Sequence, residues 1–194
     1  MNRQQKLEKI ADEIRACRLC RKGGSGLPVP GEGPADARLL FVGEAPGREE
    51  ARTGRPFVGR SGRFLRQMIS EAGLDEQRVF ITSPVHYLPV AGKPSPAMIE
   101  HGATHLRKQI GVIGPRVVVL LGSTACRALL AQPVEIVKEH GRTIEQEGVT
   151  FFLSFHPAYA IRFPAGRRHF IQDFAALKGL LAGKAKRPPR PAVR

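Results

Sequence analysis

The sequence predicts an α/β fold: a three-layer α/β/α sandwich with a central four-stranded parallel sheet. Three observations carry that expectation. Four short apolar runs, residues 37–43, 78–83, 117–122 and 150–155, are each six or seven residues long and mostly aliphatic or aromatic. Near-continuous hydrophobicity over so few residues marks strands buried on both faces, as in parallel sheets. Segments with apolar residues three and four apart separate the runs, and strands alternating with helices build a sheet covered on both sides. The 194 residues, 42% hydrophobic and 25% charged, have the length and composition of one globular domain.

The elements follow in order. Leu7, Ile10, Ala11 and Ile14 repeat at helical spacing, so an amphipathic helix runs from the N-terminus to near Cys17. Residues 23–35 are rich in Gly and Pro and read as a loop before the first strand. Phe64, Leu65, Met68, Ile69 and Ala72 form one helical face, with Ser61 a candidate cap and Gly73 a stop. Ser95 is placed as an N-cap with Pro96 at the first helical position, where its missing N–H costs nothing. Ile99, Ala103, Leu106 and Ile110 continue that helix, Ser123 opens another through Cys126, Leu129 and Leu130, and Phe170, Ile171, Phe174 and Leu177 begin the last. Residues 1–183 therefore read as a single domain. Residues 184–194 hold five basic side chains, three prolines and no acid, so a disordered basic tail is expected there.

Charge narrows the partner class. The chain carries 31 Lys and Arg against 17 Asp and Glu, a net +14, of which +9 remains without the tail. A pI near 10.7 favours polyanions, because basic grooves gain affinity by releasing phosphate counterions. The longest apolar run, residues 117–121, is far short of the roughly 18 residues of a membrane span, and the N-terminus is charged rather than signal-like. A soluble, cytoplasmic protein with no membrane partner is the expectation. Three cysteines, Cys17, Cys20 and Cys126, are too few for a disulfide framework and fit reduced thiols.

Ligands of open α/β sheets bind beyond the carboxyl ends of the strands. Those ends here are Gly43-Glu44-Ala45-Pro46-Gly47, Ser83-Pro84-Val85-His86-Tyr87, Gly122-Ser123-Thr124 and His156-Pro157-Ala158-Tyr159. A carboxylate and an imidazole thus converge on one rim. Residues 48–66 add six arginines and two glutamates around Gly54-Arg55-Pro56-Phe57-Val58-Gly59. Phe57 among glycines and arginines suits a stacked base with its phosphates nearby, or else a core position.

Taken together and in this order, Gly43-Glu44-Ala45-Pro46-Gly47, Gly54-Arg55-Pro56-Phe57-Val58-Gly59, and His156-Pro157 followed by Arg162 and Pro164 resemble the uracil-DNA glycosylase superfamily, over residues 7–181. The branch most similar is family 4, which usually carries an iron–sulfur cluster. The resemblance implies a four-stranded parallel sheet, and an enzyme that flips uracil out of DNA and hydrolyses its glycosidic bond, leaving an abasic site. It implies catalytic roles for Glu44 and His156, with Glu50 a second carboxylate candidate. Gly43, Ala45, Phe57, Ser83 and His86 are then the candidate base contacts, and Arg48, Arg60, Arg162, Phe163, Arg167 and Arg168 the candidate DNA contacts. Uracil-containing DNA, single- or double-stranded, is the implied partner, and a monomer is expected.

Two departures qualify the resemblance. The family's four cluster cysteines are reduced to Cys17 and Cys20; Tyr87 and Gly102 stand at the other two positions, and Cys126 matches none. Two thiolates cannot hold a four-cysteine cluster, so no cofactor and no metal is expected. Zinc on Cys17, Cys20 and histidines such as His86, His101 or His105 lacks a standard spacing. The family's uracil-reading Asn is replaced by Ser83, whose hydroxyl has one donor and a shorter reach. That change keeps two alternatives open: a non-catalytic binder of uracil or abasic DNA, and a glycosylase for another deaminated base such as hypoxanthine or xanthine.

Overall fold

The computed structural model describes residues 1–130 and 132–183; the expected tail at 184–194 lies outside the described residues. Seven strands form among the described residues: β1 (Gly24–Ser25), β2 (Leu39–Val42), β3 (Val79–Thr82), β4 (Leu88–Pro89), β5 (Val117–Leu121), β6 (Thr143–Gln146) and β7 (Val149–Ser154). The main sheet has the order β3-β2-β5-β7-β6, and β1 pairs with β4 in a separate two-stranded ribbon. Strands β3, β2, β5 and β7 are parallel and coincide with the four apolar runs. Every residue of β2, β3 and β5 is buried.

The helices are α1 (Arg3–Ala16), α2 (Arg18–Arg21), α3 (Arg48–Thr53), α4 (Arg60–Glu71), α5 (Pro96–Ile113), α6 (Ser123–Leu129), α7 (Ile136–Glu139), α8 (Pro157–Arg162) and α9 (Pro164–Leu181). Successive strand residues point to opposite faces. Leu40, Val42, Val118 and Leu120 therefore meet α1, α5 and α6 through Leu7, Ile14, Leu106 and Ala125, while Phe41, Val119 and Leu121 meet α4 and α9 through Leu65, Ile69, Phe170 and Phe174. No helix among the described residues is long and apolar enough to cross a membrane.

Local chemistry sets the boundaries. Asn2 Oδ1 accepts from the Gln5 backbone N–H while Gln5 Oε1 accepts from that of Asn2, a capping box at the start of α1. Ser95 caps α5 ahead of Pro96, and Gly114 ends it in the left-handed region at φ +64°. Helix α4 starts earlier than Ser61 implied, because Glu50 Oε1 accepts from the N–H groups of Val58 and Gly59 just before it. The fifth strand, β6, was not anticipated. It lies at the sheet edge, antiparallel to β7 through a turn at Glu147 and Gly148, both at positive φ. An edge strand covers one face only, so Thr143-Ile144-Glu145-Gln146 shows no continuous apolar run.

Register brings the strand ends level. Val42 lies beside Thr82 and Leu120, and Leu121 beside Ser154. From β2 the chain places β3 on one side and β5 on the other, so the sheet's topological switch lies between β2 and β5.

Candidate active site

A cavity of about 310 Å³ opens at the carboxyl rim, lined by residues that include Ala45, Arg48, Phe57, Arg60, Ser83 and His156. Its size suits one flipped base and part of its sugar.

His156 caps α8, with Pro157 at the first helical position. Its Nδ1 accepts the Ala158 backbone N–H at 3.1 Å, so the ring proton of the neutral imidazole sits on Nε2. Burial holds the imidazole below its ordinary value of 6.5, and the Glu44 charge pulls in the opposite direction. Gly122, at φ +92°, makes room for this ring, since a Cβ there would approach the His156 Cβ to 3.1 Å.

Glu44 follows β2 at the rim, half-buried, and Thr124 Oγ1 donates to its Oε2 at 2.8 Å. That bond bridges the switch between β2 and β5. Thr124 stood in a strand-end motif but carried no sequence signal of a role; only the register makes it Glu44's partner.

Phe57 sits in the left-handed region at φ +50°, a conformation costing about 1–3 kcal/mol for such a side chain. The surroundings hold it there. Arg66 Nε donates to Phe57 O and its Nη2 to Pro56 O, each at 3.0 Å, and Gly62 packs against the Phe57 carbonyl so closely that a Cβ would come within 2.0 Å. Arg66 is itself held by Glu32 and Glu76. Burial pushes the Glu32 carboxyl up, but hydrogen bonds from Arg55 and Arg66 outweigh it and hold it below its ordinary value. The Phe57 ring lies over Gly43, where a Cβ would come 2.5 Å from Cζ, and 6.2 Å from the His156 ring. Gly43 thus acts from beneath the ring.

Glu50 faces the same cavity with its carboxylate already engaged. Oε2 accepts from Gly47 N–H at 3.0 Å, and Oε1 from Val58 and Gly59 N–H at 2.8 and 2.7 Å. This geometry ties Glu50 to the backbone on both sides of α3 and positions the 57–59 loop.

Ser83 is buried in the cavity wall, and its hydroxyl donates to Val85 O at 2.7 Å. Only its lone pairs face outward. His86 is not brought to the cavity. Its ring is buried behind the wall, Nδ1 lies 3.3 Å from Val29 O, and burial pushes it down to about 4. Its ring instead meets that of His105 on α5 edge-on, with centroids 5.9 Å apart, a contact between distant residues that the strand-end motif does not show.

The exposed side of the rim is basic and aromatic. Arg48 and Arg60 are exposed in the cavity wall, and Arg162, Arg167 and Arg168 are exposed on α8 and α9, the helices that follow His156. Tyr159 and Phe163, 39% and 42% exposed, follow His156 with their rings 4.8 Å apart and tilted by 45°.

The residues do not fit a four-thiolate cluster. Cys17 and Cys20 share a chamber with His101 and His105, whereas Cys126 is buried on the inner face of α6. The Tyr87 hydroxyl donates to Arg15 O, and Gly102 packs against Pro84 so tightly that a Cβ would lie 1.7 Å from its carbonyl oxygen. Zinc on these histidines has no standard spacing in the sequence, but the fold brings His101 and His105 to both cysteines.

The family model of the uracil DNA glycosylase superfamily matches residues 30–178. A type-4 uracil-DNA glycosylase of Sulfurisphaera tokodaii is 35% identical, covering 90% of this chain and 84% of its own. One from Thermotoga maritima is 34% identical, covering 92% and 96%. A type-5 uracil-DNA glycosylase of Thermus thermophilus is 40% identical over a shorter stretch, 64% of this chain and 72% of its own.

Proposed function

The chain belongs to the uracil-DNA glycosylase superfamily, and from that premise we propose that it hydrolyses uracil from DNA in the cavity formed by Phe57, Ser83 and His156, leaving an abasic site. The single observation that carries the mechanism is the His156 tautomer. With Nδ1 accepting from Ala158, the Nε2–H is free to face the base.

The target nucleotide leaves the stack, at a cost of a few kcal/mol when paired. Phe57 receives the face of the base, and Tyr159 and Phe163 stand beside the vacated stack. As the C1′–N1 bond breaks, its electron pair passes to uracil and the sugar becomes oxocarbenium-like. His156 Nε2–H donates to the base oxygen where charge develops, as an oxyanion donor does. The Glu44 carboxylate, fixed by Thr124, faces the sugar cation and orients the water that adds to C1′. The water's proton completes the balance on the departing uracil.

Ser83 gives the base-reading step its polarity. Its proton is held by Val85 O, so it accepts. Uracil offers N3–H to such an acceptor, whereas cytosine presents a lone pair at N3. Arg48, Arg60, Arg162, Arg167 and Arg168 take the flanking phosphates.

The test is uracil release from labelled single-stranded and G·U oligonucleotides. Wild type releases uracil, and His156→Ala loses about 10²–10³ in rate, the usual effect of removing one charge-stabilising donor. Binding without release by wild type would overturn the reading, and an unchanged rate in His156→Ala would remove that residue from it.

A further inference from the structure

We propose that Cys17, Cys20, His101 and His105 form a mononuclear zinc site of two thiolates and two imidazoles. The cysteines are three apart at the junction of α1 and α2; the histidines are four apart and therefore on one face of α5. One donor atom from each residue lies within 4.8 Å of all the others. A tetrahedral zinc ion with bonds of about 2.0–2.3 Å sets its donors roughly 3.3–3.8 Å apart, so a modest contraction closes the site.

A second observation points to a missing ligand. His105 is only 7% exposed, yet both its ring nitrogens lack a hydrogen-bond partner. A buried polar atom left unpaired costs about 1–3 kcal/mol. Glu13 Oε2 lies 3.9 Å from His105 Nδ1 and is anchored by Lys108 Nζ at 2.6 Å. A small rotation makes Nδ1–H donate to this carboxylate and leaves Nε2 for the ion, the outer-shell arrangement that orients metal-bound imidazoles. Helix α2 supplies a third reason. It has four residues and buries only Cys20, so hydrophobic packing gives little cause for it to dock on α5.

The donor set separates zinc from iron–sulfur chemistry. A four-thiolate cluster has only half its ligands here. A two-iron cluster with two cysteines and two histidines puts the thiolates on one iron and the imidazoles on the other. Cys17 Sγ lies 3.1 Å from His101 Nε2, across those pairs, as on one edge of a single tetrahedron.

The full chain, purified without metal-chelating resin, is assayed for zinc, iron and sulfide by elemental analysis. We expect one zinc per chain, no iron and no visible colour, and intense tetrahedral d–d bands after exchange with cobalt. His101→Ala and Cys17→Ser should lose the metal, while Cys126→Ser keeps it. Because those variants can unfold, wild type is also titrated with a strong chelator, and zinc release should lower its Tm. Iron with sulfide, a Cys17–Cys20 disulfide without metal, or no zinc even after reconstitution overturns the proposal. None of these readouts depends on uracil release, so the site and the glycosylase reading fail separately.

Discussion

At the scale of single residues, the protonation of His156 decides how the site behaves with pH. Its imidazole sits below 6.5 because burial outweighs the attraction of Glu44, and its Nδ1 is already an acceptor. The neutral ring is the competent donor. The rate should therefore be level from pH 8 down through 6.5 and fall only below it, as protonation breaks the Ala158 contact. A rate that rises as pH falls through 6.5 would mean a cationic donor instead. Glu44→Gln removes the charge that raises this pKa, so the acid limb should move to lower pH in a kcat profile. Glu50 calls for the opposite kind of test. Glu50→Ala strips three backbone N–H groups of their acceptor, so Tm and kcat/KM should fall together, with a stability loss of about 1–3 kcal/mol. A kcat loss at unchanged Tm would make it a reacting group.

At the scale of elements, Phe57 depends on a helix it does not belong to. Arg66 on α4 holds the carbonyls of Pro56 and Phe57 and is braced by Glu32, more than thirty positions earlier. Arg66→Ala frees the ring from its left-handed conformation. KM for a uracil oligonucleotide should rise roughly 5- to 150-fold, as for a lost stacking contact of about 1–3 kcal/mol. Lysine should not rescue it, since one ammonium cannot reproduce the planar fork. A comparable brace lies at the end of β7. The carboxylate of Asp173 on α9 accepts from Ser154 Oγ at 2.7 Å and lies 2.7 Å from His140 Nδ1, fixing the end of β7 two residues before His156. Burial raises the Asp173 carboxyl despite both partners. Neither brace was legible in the sequence, because each joins residues far apart whose side chains look like ordinary surface charge.

At the scale of the whole molecule, the net charge of +14 acts through its distribution. Arg48 and Arg60 line the cavity, and Arg162, Arg167 and Arg168 are exposed on α8 and α9, which follow His156 in the chain. Each phosphate neutralised contributes about −0.7 to −0.9 to the slope of log K against log salt. Arg167→Ala with Arg168→Ala should make that slope shallower by roughly one to two in a fluorescence-anisotropy titration, with uracil release at saturating DNA nearly unchanged. An unaltered slope would remove α9 from the DNA path.

Apolar runs and helical spacing determined the four parallel strands, the faces of α4 and α5, and the rim motifs holding Glu44, Phe57, Ser83 and His156. These are local patterns, and burial on both faces or on one stripe writes them directly into composition. Tertiary structure alone decided the rest. The β2–β5 switch joined Thr124 to Glu44; the packing behind β3 turned His86 away from the cavity; the Gly47, Val58 and Gly59 amides claimed Glu50; and the docking of α2 on α5 gathered Cys17, Cys20, His101 and His105. Each is a contact between distant residues, and its geometry comes from strand register and helix packing rather than from any spacing along the chain.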